Sequence, residues 1–214
     1  MKHYYRHFLL FTFCLFLLLG ATALPVNGAV DYLEQMGVIR PNKTIDAPDF
    51  TLSDLEGRKR SLREFQGKFV MLNFWATWWT YCDRERSSLE KIHNLYNKKG
   101  LIVIAVSIDQ GSDEQVRKLV KSYVDRKKLT FLNLLDPKSS TAAQYGVSGV
   151  PINIFIGPQG QVLALARGYR KWDSQEGLLM IEQILSSEKS ERSPPKPNEG
   201  SKGFFFSPKR DYGF

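Results

Sequence analysis

The 214-residue chain predicts an α/β fold, a mixed β-sheet with helices on both faces, and three observations predict it. Two near-continuous apolar stretches, residues 69–75 and residues 101–108, read as strands covered on both sides. Between them Cys82, Glu85, Leu89, Ile92 and Tyr96 recur three or four apart, which places them on one face of a helix over residues 80–98. Farther on, strands at 152–156 and 161–167 flank Gly157-Pro158-Gln159-Gly160. Pro at the second position and Gly at the fourth fit a type I turn, hence an antiparallel hairpin.

The remaining elements follow in order. Lys2 and Arg6 precede an apolar run over residues 8–19, and Ala21-Thr22-Ala23 supplies small residues for cleavage, so residues 1–23 read as a secretory signal peptide. An uncleaved anchor is the rival, but about 12 apolar residues fall short of the roughly 20 that span a bilayer. Cys14 lies inside that run after bulky Phe13, which argues against lipidation. Residues 24–44 form an N-terminal extension, with a short helix over 31–36 ended by Gly37. The domain proper is placed at 45–187. Segments 50–52 and 60–62 flank Glu56-Gly57 and predict an N-terminal hairpin. A helix over 112–127 capped by Ser112 or Asp113, a strand at 130–134, a brief helix at 139–145 and a last helix at 173–186 complete the order. Residues 188–214 open with Glu-Lys-Ser-Glu-Arg-Ser-Pro-Pro and are too polar to offset the entropy of ordering, so they read as a disordered tail in which Phe204-Phe205-Phe206 is the one sticky element.

Composition narrows the function classes. With 43% hydrophobic and 24% charged residues the chain is neither fibrous nor wholly disordered. Loss of the leader lowers the formal charge from +8 to +6 and leaves Cys82 as the only thiol. The positive charge is spread along the chain without a nucleic-acid motif, so a solvated surface is the reading. One cysteine beside three histidines, two of them in the leader, gives no metal cluster, and no glycine motif for a nucleotide appears. No cofactor is expected.

Ala47-Pro48-Asp49-Phe50-Thr51-Leu52, then Leu72-Asn73-Phe74-Trp75-Ala76-Thr77-Trp78, and finally Tyr145-Gly146-Val147 with Gly149-Val150-Pro151, stand in the order and spacing of a known family. Over residues 45 to 187 the chain resembles the TlpA/ResA branch of thioredoxin-like proteins. The resemblance implies a thioredoxin-like fold with an N-terminal hairpin and a central αβ insertion. It further implies an extracytoplasmic location, periplasmic or anchored facing the periplasm, and a role in thiol-disulfide exchange.

Family chemistry rests on a CxxC at a helix N-terminus, where the first thiolate attacks a disulfide and the second cysteine resolves it. Here the motif reads Trp79-Thr80-Tyr81-Cys82, so exchange through a cysteine pair within the motif is excluded. The candidate catalytic residues are Cys82, expected to be sheltered one turn into the helix, and Glu85, which in the family helps manage the cysteine protons. Asn73 stands where thioredoxin has a buried Asp, and Ser87 replaces a helix-kinking proline. The loop Gly149-Val150-Pro151 matches the family's cis-proline position, whose backbone pairs with bound peptide in strand fashion. With Trp78, Trp79 and Tyr81 it forms the candidate substrate-binding surface, while Trp75 is expected in the core. Three functions follow as expectations. The first is a module that binds an extracytoplasmic polypeptide without catalysis. The second is a one-cysteine oxidoreductase that forms mixed disulfides with a thiol-containing partner. The third, a peroxiredoxin, is disfavoured because Trp75 and Trp79 stand where its Pro and Thr are needed.

Overall fold

Along the chain the computed structural model runs α1 (Tyr32–Gln35), β1 (Thr51–Asp54), β2 (Lys59–Ser61), a 3-10 turn (Leu62–Phe65), β3 (Phe69–Trp75), α2 (Thr80–Tyr96), β4 (Leu101–Ser107), α3 (Asp113–Lys127), β5 (Leu132–Leu135), α4 (Ser140–Gln144), β6 (Ile152–Ile156), β7 (Val162–Arg167) and α5 (Gln175–Glu191). It describes residues 30–191. The predicted leader and most of the predicted tail lie outside the described residues. Among the described residues no helix is long and apolar enough to cross a membrane.

Seven strands make one sheet in the order β2-β1-β5-β4-β3-β6-β7. The strands β3, β4 and β5 run parallel, and β1, β6 and β7 join antiparallel. All seven residues of β3 are buried, which is why its sequence is apolar without alternation. On one face α1, α2, α3 and α5 pack Leu33, Leu89, Val120 and Ile181 against Met71, Trp75 and Val103. On the other, the 3-10 turn and α4 bring Leu62 and Ala142 against Leu72, Phe74 and Ile154. The mixed sheet with helices on both faces is thus the observed architecture, and Trp75 is fully buried as expected.

Local departures from the sequence reading have local causes. Strand β5 begins at Leu132 rather than Thr130 because Glu90 captures the Thr130 amide (2.8 Å) and hydroxyl (2.6 Å). Helix α5 begins later than predicted, since Ser174 Oγ accepts from the Gly177 amide at 3.1 Å and caps it. It also continues to Glu191, through Glu188 and Lys189, which are good helix formers. Helix α2 stops at Tyr96 and tightens into a 3-10 turn before Gly100, whose φ of +99° closes the end.

The N-terminal extension lies along the outer strand of the sheet. Ile39 and Leu165 exchange two backbone hydrogen bonds of 2.8 Å, the Val162 amide donates to Ile45 at 2.7 Å, and the Ala47 amide donates to Gly160 at 2.8 Å. The opposite outer strand, β2, has only three residues.

Candidate functional site

The site forms where β3 ends and α2 begins. After Trp75 the chain leaves the sheet through Ala76-Thr77-Trp78, and Trp79 takes the N-cap position of α2 in extended conformation. An indole offers no acceptor for the first helical amides, and no side-chain cap is made; the Trp79 carbonyl instead accepts from the Cys82 amide (3.0 Å) and the Asp83 amide (3.2 Å). Trp78, Trp79 and Tyr81 are 66%, 41% and 50% exposed. The Trp78 and Trp79 rings meet edge to face at 5.8 Å, and Tyr81 stands against Trp79 at 6.1 Å.

Trp78 and Trp79 form one wall of a groove of about 420 Å³, with Ile108, Ala142, Ala143, Val147, Gly149 and Val150 along the rest. The Val150–Pro151 peptide bond is cis. Of the residues singled out from sequence, Trp78, Trp79, Gly149 and Val150 therefore meet in one place. Tyr81 and the buried Pro151 stay outside the groove lining.

Cys82 is fully buried. Burial pushes its thiol up to about 11, with Glu85 adding to the shift and Arg86 opposing it. At pH 7 such a thiol is about one part in ten thousand thiolate. On the sheet face that carries α2 lies a polar network that the sequence showed only in part. Glu85 accepts from Trp172 Nε1 (2.7 Å), Asn153 Nδ2 (3.0 Å), Asn73 Nδ2 (3.2 Å) and the Arg170 amide (3.2 Å). Asn73 and Asn153 are register partners on β3 and β6, and their side chains bond at 2.8 Å. Arg86, also buried, lies 3.8 Å from Glu85, donates to Asn73 Oδ1 and to the Cys82 carbonyl (3.2 Å), and stacks 4.6 Å from the Trp75 ring centroid. Burial pushes the Glu85 carboxyl up, against the pull of Arg86, Trp172, Arg170 and Asn153. Glu85 thus braces α2 against β6 and the segment before α5.

Asp109 is a second member that sequence reading missed. Buried after β4, it accepts from the Thr77 amide (3.1 Å), the Thr77 hydroxyl (2.7 Å) and the Ser107 hydroxyl (2.7 Å). These bonds fix the turn that presents Trp78. Asp109→Ala is expected to cost about 2 to 3 kcal/mol, since it strands buried donors that served a charged acceptor. Urea unfolding measures that loss. Among the described residues no cluster of His, Cys, Asp and Glu is set to hold a metal.

Residues 45–165 match the model of the AhpC/TSA family. The chain belongs to that family. Thiol-disulfide oxidoreductase ResA of Bacillus cereus is 31% identical over 158 residues, which cover 72% of this chain and 88% of that protein. The ResA of Geobacillus thermodenitrificans is 35% identical over 122 residues, 57% of this chain and 67% of that one. Among solved structures, a Chlorobium tepidum protein assigned as the thiol:disulfide interchange protein DsbE superposes with a TM-score of 0.60 at 29% identity, covering 67% of this chain and 98% of its own. This AhpC/TSA member is thus a ResA-like protein of the thiol-disulfide oxidoreductase type with a thioredoxin-like fold. Its α2 opens on Trp79-Thr80-Tyr81-Cys82.

Proposed function

We propose that this protein is an extracytoplasmic member of the thiol-disulfide oxidoreductase family that binds extended polypeptide and does not turn over disulfides. The observation that carries the reading is the pairing of an exposed Trp79 with a fully buried Cys82. The residue at the reactive position has no thiol, and the remaining thiol is held protonated and out of reach. What persists is the recognition surface. Trp78, Trp79 and the loop before the cis proline enclose an apolar groove, and an exposed aromatic cluster of this kind marks an interaction site. Secretion is supported by the sequence of residues 1–23 alone.

Mixed-disulfide chemistry through Cys82 gains no support from this arrangement, because a partner sulfur has no path to the thiol while α2 is folded. Peroxide chemistry meets the same burial. The test of the reading is peptide binding by the natural protein and by Cys82→Ser. Equal affinity is expected, and loss of binding in the variant would overturn the proposal.

A further expected result concerns the thiol itself. In the folded protein at pH 7.5, iodoacetamide is expected to leave Cys82 unmodified over hours and to label it within minutes in denaturant, as read by intact mass. The unfolded thiol ionises near 9 and the folded one near 11, so the folded state keeps the proton that the unfolded chain has lost. Stability contributed by Cys82 is therefore full below pH 9 and falls by about 2 to 3 kcal/mol as pH rises to 11.

A further inference from the structure

The groove has an uncharged lining, and two exposed arginines lie near the proline loop. Arg167, the last residue of β7, is exposed and is the register partner of Ile152, two residues beyond Val150 of the groove wall. Ile152 packs with Phe74, Ile154 and Ala142, so Arg167 is on the sheet face that carries α4 and the groove. Arg84, exposed on α2 two residues past Cys82, stacks 5.7 Å from the ring centroid of Tyr169, two residues after Arg167. Among the described residues neither guanidinium has an acidic partner.

The acids of this end are already committed. Asp83 bonds Lys127 (2.7 Å) and Tyr123 (2.7 Å), Asp109 is taken up by Thr77 and Ser107, and Asp136 accepts from the Ser140 and Ala142 amides. On the α4 side Lys138 is exposed next to Ser139 of the groove lining and adds a further positive charge. Two guanidinium groups without an acidic partner thus stand by residues 167–169, where the Gly168 amide bonds the Pro151 carbonyl at 2.8 Å.

We propose that the groove takes an extended polypeptide segment whose apolar anchor side chain is flanked by Asp or Glu. This deepens the polypeptide-binding reading and rests on it. The anchor sits between Trp78, Trp79 and the α4 wall, where neutral lining excludes a charged side chain, and the flanking carboxylate meets Arg84 and Arg167. Steering by exposed charges of this kind is weakened by salt.

The experiment uses the natural chain and three dye-labelled ten-residue peptides, each with one central Phe flanked by Asp, Asn or Lys, read by fluorescence anisotropy. The Asp peptide is expected to bind about fivefold more tightly than the Asn peptide, and the Lys peptide more weakly still. In Arg84→Gln/Arg167→Gln, checked for folding by circular dichroism, the three affinities are expected to converge, as they are for the natural protein in about 0.5 M salt. Equal affinities for the natural protein, or a preference that survives in the double variant, overturn the acidic-flank proposal and leave polypeptide binding standing. Absence of binding by all three peptides overturns both.

Discussion

Arg86→Ala is expected to lower stability by about 3 to 5 kcal/mol, the largest loss of any single substitution at this site, measured by denaturant unfolding. Arg86 is buried on α2 and serves Glu85, Asn73 and the Cys82 carbonyl at once. Its removal leaves a buried carboxylate with neutral donors only, and such a group takes up a proton rather than keep its charge. The loss therefore depends on pH. With its folded pKa raised further above the unfolded value of about 4.3, Glu85 destabilises the variant increasingly as pH rises beyond that value. The variant should fall further behind the natural protein at pH 8 than at pH 5. Adding Glu85→Gln removes the orphaned charge, so the double variant is expected to recover part of the loss. A double variant weaker than Arg86→Ala alone at pH 8 would contradict a paired network.

Trp79→Cys is expected to give the largest functional change, from no insulin reduction to turnover readily followed by turbidity in dithiothreitol. The substitution restores two cysteines at the spacing of one helical turn. It puts a sulfur at the N-cap of α2, where unfilled amides and the helix dipole stabilise a thiolate. Cys82, buried one turn below, then serves as the resolving thiol. The same change removes one wall of the groove, so peptide binding is expected to weaken as exchange appears. A variant that forms the disulfide yet remains inert would show that more than the missing sulfur separates this chain from catalysis.

How far these features could be read from sequence varies with their range. β3 and β6 match their predicted limits because a near-continuous apolar run is a local property of a central strand. The motif at 79–82 and the proline loop were legible for the same reason, being contiguous. The network under Cys82 was not. Glu85 is 68 residues from Asn153 and 87 from Trp172, and nothing local ties them together. Arg86 follows Glu85 in a charged helix, where an arginine ordinarily faces water, and its inward partner Asn73 comes from a different element, β3. The signal that was present was an Asn in the middle of each of two buried strands, since buried amides require partners. The α4 wall of the groove depends on a helix of five residues, too short for periodicity to orient.

The backbone bonds between the N-terminal extension and β7 also bear on how the protein behaves at high concentration. An outer strand with free amides and carbonyls invites another chain to zip onto it, the first step of edge-to-edge aggregation. Here residues 39 and 45–47 occupy that edge, while the other edge, β2, carries Lys59 and Arg60 on a strand of three residues. Both edges of the sheet are thus blunted against promiscuous pairing.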